Sequence, residues 1–178
     1  MSGKTGKLRM SLLIVDGYNI INNWPEFSVL RDENMEGARF KLVEIMQDYV
    51  PLAWQKIIIV FDAYRVKGHT LSIEEYGAME VIFTAEGQTA DSVIERLVNT
   101  LVREGVAVEV ASSDYMEQNI ILWKGGHRVS ARELRGRLQD LRLELFADLH
   151  PHTGQSLLDE RINPKVKTIL EKWRRRRY

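Results

Sequence analysis

The sequence predicts an α/β protein with one domain built around a mainly parallel sheet. Short aliphatic runs, such as SLLIVD at 11–16 and KIIIVFD at 56–62, alternate with amphipathic stretches long enough to form helices. Near-continuous aliphatic runs are typical of strands buried on both faces, and strands that alternate with helices are typical of parallel sheets. In such sheets ligands bind beyond the carboxyl ends of the strands, where this sequence repeatedly places an aspartate.

Four strands and five helices are predicted from runs of suitable residues and their boundary signals. Asn34 and Thr89 are predicted helix N-caps, Gly105 is a predicted helix stop, and Ser130 with Glu133 forms a capping box. The predicted strands are 11–16, 56–62, 79–84 and 106–114, and the predicted helices are 34–50, 89–105, 115–124, 130–149 and 163–178.

Composition restricts the class of protein. A chain of 178 residues with 44% hydrophobic and 28% charged residues suits one soluble domain with a sizeable core. The lack of cysteine excludes disulfides and Cys-based metal sites and suits a reducing compartment, so we expect a cytoplasmic protein. No run approaches the ~20 apolar residues of a membrane helix, and no glycine-rich phosphate loop follows a strand. We therefore expect neither a membrane partner nor a nucleotide cofactor, and we interpret residues 1–10 as a flexible basic extension.

Charge divides the chain into an acidic front and a basic back. Residues 1–123 contain 11 Lys and Arg against 18 Asp and Glu, whereas residues 124–178 contain 14 against 7. This asymmetry fits a protein that collects cations at one place and a polyanion at another. Charge alone leaves open the alternative that both blocks are simply solvated faces.

Four aspartates follow the predicted strands. Asp16 ends the first strand, Asp62 ends the second, and Asp114 follows the fourth. Asp91 lies in the first turn of the helix that follows the third strand. Because the carboxyl ends of parallel strands meet at one edge of a sheet, we expect all four carboxylates to converge there.

Converging carboxylates favour a metal ion. They repel one another unless a divalent cation neutralises them, and an all-oxygen set of ligands suits Mg²⁺ or Mn²⁺. We expect Asn19 to orient a water or a phosphate oxygen through its amide, and Gly17 to let the chain turn sharply after the strand.

Each of these aspartates also has a purely structural interpretation. Asp91 and Asp114 could complement helix N-termini, and Asp62 could be a turn residue. Asp16 is harder to explain in this way, because it follows a run of apolar residues. The structural interpretation is weakest for the four together, since each predicted strand would have to be followed by an idle acid.

Six blocks of this sequence resemble, in order, the NYN branch of the PIN-like nucleases, and in particular its bacterial YacP-like group. They are LLIVDGYNIINNWPE, IIIVFDAYRVKG, EVIFTAEGQTAD, SSDYMEQNIILWKGG, SARELRGRL and LEKWRR, and they extend from about Ser11 to Arg175. The resemblance implies a three-layer PIN-like domain over 11–178 with basic C-terminal helices. It also implies a metal-dependent endoribonuclease that acts on mRNA in association with the ribosome. The residues implied for its Mg²⁺ site are Asp16, Asp62, Asp91 and Asp114, with Asn19 as their polar companion.

Basic and aromatic residues near these acids are candidate RNA contacts. Tyr18 and Trp24 could stack on bases, although core packing is the more common role of such residues. If the predicted helix at 130–149 extends back to 128, three of its arginines share one face. The candidate phosphate ligands are Arg65, Lys67, Lys124, Arg128, Arg132 and Arg135.

The preferred function is hydrolysis of single-stranded RNA by a carboxylate-held metal and an activated water. The main alternative is a non-catalytic RNA- or ribosome-binding module that retains the fold, although a binder of polyanions gains nothing from an acidic cluster. An aspartyl-phosphate phosphatase or a receiver domain is disfavoured, because the phosphatase needs Asp-x-Asp where this chain has Asp16-Gly17-Tyr18.

Overall fold

The computed structural model describes residues 11–63, 68–113 and 125–149. The predicted extension at 1–10 and the predicted helices at 115–124 and 163–178 lie outside these ranges. In chain order the elements are β1 (Leu12–Asp16), α1 (Gly17–Asn23), a 3₁₀ turn (Pro25–Phe27), α2 (Ser28–Glu33), α3 (Met35–Ala53), β2 (Lys56–Phe61), β3 (Ser72–Tyr76), β4 (Met79–Phe83), α4 (Ala90–Arg103), β5 (Val108–Ala111), β6 (His127–Val129) and α5 (Ala131–Leu149).

The strands of the described ranges form one six-stranded sheet in the order β3-β4-β2-β1-β5-β6. Neighbouring strands are parallel except β3 and β4, which form an antiparallel hairpin around Gly77, whose φ is 65°. The prediction of a mainly parallel sheet is therefore confirmed. The predicted strands correspond to β1, β2, β4 and β5, of which β5 is shorter than the predicted 106–114.

The two strands that the sequence pattern does not indicate, β3 and β6, lie at the two edges of the sheet. β3 reads SIEEY and is mostly exposed, so its sequence lacks the aliphatic run of a buried strand. β6 has only three residues, HRV, of which only the last is buried. Edge strands of this kind have little hydrophobic signal because little of their surface is buried.

The sheet is covered on both faces, which gives the three layers expected of the fold. Alternate residues of β1, such as Leu12 and Ile14, pack with the apolar face of α4. The intervening residues, such as Leu13 and Val15, point to the opposite face, where α1 and α3 supply their own buried side chains. The buried residues that pack with α4 are Leu12, Ile14, Ile58, Val60, Ile82, Val108 and Val110.

Three residues that were predicted to begin or end helices have the expected roles. The Asn34 side chain accepts a hydrogen bond from the Gly37 amide at 2.9 Å, and the Thr89 hydroxyl accepts one from the Ser92 amide at 3.3 Å. Gly105 has a φ of 77°, the left-handed conformation that favours glycine just after a helix. α3 ends at Ala53 and thus runs past its predicted end at residue 50.

The last described helix, α5, begins with the predicted capping box. The Ser130 amide donates to Glu133 Oε2 at 2.7 Å, and the Glu133 amide donates to Ser130 Oγ at 3.1 Å. The backbone divides into two compact units between Arg135 and Gly136, inside this helix. No helix of the described ranges is both long enough and apolar enough to cross a bilayer.

Gly17 has a different role from the predicted sharp turn. It is the first residue of α1, it is buried, and it is not among the glycines with positive φ. A Cβ at this position would lie 2.3 Å from Cε1 of Phe61, whose ring is fully buried at the end of β2. Glycine is therefore required here by the close approach of an aromatic ring.

We predict that Gly17→Ala destabilises the protein by about 1–3 kcal/mol, because the methyl group overpacks the core beside Phe61. Urea denaturation measures the change. Gly136→Ala is the matched control, since a Cβ at this helical position meets nothing within 4 Å. Removing that glycine should be neutral or stabilise the protein by up to about 1 kcal/mol. Equal behaviour of the two variants would contradict the packing argument.

Candidate nuclease site at the carboxyl edge of the sheet

Asp16 and Asp62 lie at the same edge of the sheet, at the ends of two neighbouring parallel strands. Asp16 is the last residue of β1 and stands opposite Val60 of β2. Asp62 follows β2 directly and is therefore two residues beyond that register position. Both aspartates are half-buried. The parallel pairing thus brings these two carboxylate-bearing residues to the edge where ligands bind in such sheets.

Asp16 also caps the helix that follows it. Its Oδ1 accepts a hydrogen bond from the Asn19 backbone amide at 3.1 Å, which makes Asp16 the N-cap of α1. The sequence analysis assigned capping roles to other aspartates and missed this one, because α1 begins immediately after β1 with no intervening loop. The cap holds the Asp16 carboxyl at the strand end and places a helix N-terminus beside its negative charge.

Thr84 holds the chain on both sides of Asp62. Its amide donates to the Phe61 carbonyl at 3.0 Å, and its hydroxyl accepts from the Ala63 amide at 2.8 Å. Thr84 is fully buried just beyond β4. The signal that could have identified it is a hydroxyl residue at the end of a buried strand, opposite the acid of the neighbouring strand.

Asp91 lies where it was predicted, in the first turn of α4. Thr89 supplies the side-chain cap of this helix, so Asp91 is not needed for capping. The Asp91 residue is exposed, and its charge is favourable at the positive end of the helix dipole. α4 follows β4, the neighbour of β2. The first turn of α4, which contains Asp91, therefore starts at the same edge of the sheet as Asp62.

Asp114 lies outside the described residues, but the two residues before it are described and tightly held. The Ser112 amide donates to the Val129 carbonyl of β6 at 3.1 Å. The Ser113 amide donates to the side-chain oxygen Oδ1 of Asn19 at 2.8 Å. Asn19 therefore connects α1, which begins next to Asp16, to the backbone that leads into Asp114.

A second set of bonds extends this connection to the start of α5. Ser113 Oγ accepts from the Ala131 amide at 3.1 Å, and the indole Nε1 of Trp24 donates to the Ala131 carbonyl at 2.8 Å. Trp24 is 2% exposed and stacks on Phe27, with ring centroids 6.1 Å apart. Trp24 is thus a buried anchor, as its more common role predicted, and is not accessible to an RNA base.

The described residues suit a hard cation in their donor chemistry but do not complete a site for it. Carboxylate and amide oxygens are the ligands that Mg²⁺ prefers. Within residues 11–63, 68–113 and 125–149, however, no three His, Cys, Asp or Glu side chains lie close enough to hold a metal ion. Asp16, Asp62 and Asp91 alone therefore do not form a three-carboxylate centre, and such a centre would need a further residue such as Asp114.

The predicted RNA-binding residues have different locations. Arg65, Lys67 and Lys124 lie outside the described residues. Arg128 is an exposed residue of β6, and α5 begins only at Ala131. The condition for one shared helical face, a helix that extends back to 128, is therefore not met, because the chain at that position is paired with β5 as a strand.

The two remaining arginines of this group lie on the first turns of α5. Arg132 is exposed. Arg135 Nε donates to Glu26 Oε2 at 2.9 Å and to Oε1 at 3.1 Å, so its charge is already matched by a carboxylate. Of these two, Arg132 is the better placed to meet a phosphate.

Arg39 is a candidate that the sequence analysis missed. Its Nη1 donates to the Tyr18 hydroxyl at 2.9 Å, two residues beyond Asp16. Tyr18 in turn packs edge-on against Phe61, with centroids 5.2 Å apart, immediately before Asp62. In the sequence, Arg39 lies in the second turn of a predicted helix, where nothing distinguishes it from a solvated arginine.

Comparisons with known proteins agree with this architecture. The family model described as "YacP-like NYN domain" matches residues 13–175. The chain is 36% identical to the uncharacterized protein YacP of Bacillus subtilis over 167 residues, which cover 93% of this chain and 98% of that protein. It is also similar to the crystal structure of a mutant of Rae1 (YacP) from Bacillus subtilis, with a TM-score of 0.71 and 35% identity over 93% of this chain and 96% of that one. A second crystal structure of Rae1 (YacP) gives a TM-score of 0.62 at 36% identity, covering 93% of this chain and 95% of that one. The chain therefore belongs to the YacP-like NYN domain family.

Proposed function

We propose that this protein is a metal-dependent endoribonuclease that hydrolyses single-stranded RNA at the carboxyl edge of its sheet. The observation that carries the proposal is the placement of Asp16 and Asp62 at the ends of adjacent parallel strands, in a chain of the NYN family. Such an edge is where α/β folds bind their ligands, and oxygen-rich edges suit the cations that serve phosphate chemistry.

The four aspartates have distinct roles in this proposal. Asp16 and Asp114 are the principal metal ligands, and Asp62 and Asp91 are further ligands or orient the attacking water. A divalent ion held there would lower the pKa of a bound water and stabilise charge on the leaving oxygen. Asn19 acts through its side-chain oxygen, which holds the Ser113 amide and so positions the chain that enters Asp114.

The proposed substrate is mRNA in association with the ribosome, in the cytoplasm. Support for an RNA partner comes from the family and from the excess of basic residues in the last third of the sequence. The alternative is a non-catalytic RNA- or ribosome-binding module. The binding module is favoured by the finding that the described carboxylates alone form no group of three possible metal ligands. The Asp16→Asn experiment distinguishes the nuclease from the binding module.

Asp16→Asn should reduce RNA cleavage at least about a hundredfold, while RNA binding is retained or strengthened. This loss is larger than the one usually caused by mutating a residue that only hydrogen-bonds to a metal ligand. The fold should survive, because asparagine is as good an N-cap as aspartate and can keep the bond to the Asn19 amide. Cleavage of a labelled single-stranded RNA and its binding are measured in parallel.

The matched control is Asp32→Asn, which removes one exposed negative charge from α2 and should cleave like the wild type. RNA binding by a wild-type protein that cleaves neither naked RNA nor mRNA on translating ribosomes would refute the nuclease and favour the binding module.

Chelation of divalent ions with EDTA should abolish cleavage, and added Mg²⁺ or Mn²⁺ should restore it. Because an activated water is the proposed nucleophile, the products should carry 5′-phosphate and 3′-hydroxyl ends. Mapping the ends by ligation and phosphatase sensitivity tests this chemistry. Products with 2′,3′-cyclic phosphates, or cleavage that is indifferent to chelation, would contradict the proposed mechanism.

Asn19→Ala should lower kcat about 10- to 100-fold with a smaller change in KM, because it releases the Ser113 amide and lets the chain before Asp114 shift. Asn22→Ala, which truncates an exposed asparagine of the same helix, is the control for any general weakening of α1. A loss that appears equally in both variants, or only in KM, would mean that Asn19 does not position the site.

A further inference from the structure

We propose that Arg39 binds a phosphate of the RNA strand beside the carboxyl edge that carries Asp16 and Asp62. This inference deepens the proposed function and rests on it for the identity of the substrate. It assigns a phosphate contact to α3, an element that carries none of the predicted RNA-binding residues.

Arg39 is brought to the edge by the direction of α3. This helix runs from Met35 to Ala53 and leads into β2, which begins at Lys56. The C-terminal end of α3 therefore lies near the start of β2, and its first turns lie near the opposite end, where β2 finishes. Arg39 is in the second turn and thus lies on the side of the sheet edge where the aspartates are placed.

Two contacts hold the Arg39 side chain in one orientation. Nη1 donates to the Tyr18 hydroxyl at 2.9 Å, and the guanidinium carbon lies 5.7 Å from the centroid of the Phe83 ring, at the end of β4. Phe83 stacks on Phe61 with centroids 5.5 Å apart and an interplanar angle of 21°, and Phe61 contacts Tyr18. The guanidinium is therefore fixed relative to the last residues of β2 and β4 and to the start of α1.

The charge of Arg39 is not matched by an acid in the part of the chain that the structure describes. Three other cations of this part are paired with an acid: Arg31 with Asp32, Lys56 with Glu80, and Arg135 with Glu26. Arg39 is half-buried, and its hydrogen bond with Tyr18 uses one of the five N–H donors of a guanidinium. A partly desolvated cation with donors to spare is suited to an anionic ligand, and arginine matches the geometry of phosphate oxygens.

A phosphate contact at this place also offsets the electrostatic repulsion between the aspartates and the RNA backbone in the proposed reaction. Asp16 and Asp62 repel the RNA backbone, so a substrate that reaches them must be held by positive charge nearby. Three of the residues predicted for this purpose are described: Arg128 belongs to β6, which lies beyond β5, and Arg132 and Arg135 lie at the start of α5, which follows β6 in the chain. Arg39 contacts Phe83 at the end of β4 and so supplies a cation on the other side of β1 and β2.

The test measures RNA binding by Arg39→Gln, which removes the charge but keeps a helix-compatible, unbranched side chain. Fluorescence anisotropy with a short labelled single-stranded RNA is recorded in EDTA over a series of salt concentrations. We expect affinity to fall about tenfold or more at low salt, the effect of one charge-assisted hydrogen bond. The slope of log K against log salt should fall by about 0.7, as for one lost phosphate contact on a single strand.

Arg103→Gln is the matched control, because Arg103 is exposed in the last turn of α4, towards the opposite end of the sheet. It should change affinity and slope much less than Arg39→Gln. Arg39→Lys should keep the slope and lose part of the affinity, since it retains the charge without the planar fork. Tyr18→Phe should also keep the salt-dependence slope and weaken binding, because the guanidinium loses the hydrogen bond that orients it.

The inference is overturned if Arg39→Gln is folded and binds RNA with wild-type affinity and slope, or if it weakens binding no more than Arg103→Gln. Should Arg39→Gln unfold in the thermal denaturation that accompanies the assay, wild-type binding by both Arg39→Lys and Tyr18→Phe would overturn it. A wild-type protein that binds RNA but never cleaves it refutes the proposed nuclease, whereas the binding measurements still decide the role of Arg39.

Discussion

The parallel pairing of β1 with β2 on one side and with β5 on the other is the constraint on which the candidate site depends. Register places Asp16 opposite Val60 and Val15 opposite Ala111, so three strands end at nearly the same level. A shift of one residue in any of these pairings would exchange the side chains that pack with α4 for those that pack on the opposite face. The hydrophobic core therefore specifies the same register that brings the polar strand ends together.

Most side-chain hydrogen bonds at this edge of the sheet are made to backbone groups. Thr84 holds the chain on both sides of Asp62, Asn19 holds the Ser113 amide, and Asp16 caps α1. These bonds join segments that are far apart in sequence, such as residues 19 and 113. Side chains that carry chemistry must be held closely by their surroundings, and here short polar residues of neighbouring strands and helices provide that support.

Much of the fold could be predicted from the sequence because burial leaves a clear pattern in it. Long aliphatic runs and helix caps predicted β1, β2, β4 and the ends of α4, since each depends on residues close in sequence. The exposed β3 and the short β6 were not predictable in this way. The close packing at Gly17 and the bond that Asn19 accepts were not predictable either, because they depend on Phe61 and Ser113, whose proximity is a product of the tertiary structure. The convergence of Asp16 and Asp62 followed from the sheet topology alone, whereas Arg39 could be recognised only from its contacts.

The composition of β3 has a consequence for how the protein behaves at high concentration. An outermost strand offers unpaired backbone groups to any other extended chain and is a common starting point for aggregation. β3 carries Glu74 and Glu75 in consecutive positions, so both faces of this edge present a negative charge. A second copy that approached through the same strand would meet like charges and be repelled. In the part of the chain that the structure describes, the charges of β3 therefore disfavour the addition of a further strand at this edge of the sheet.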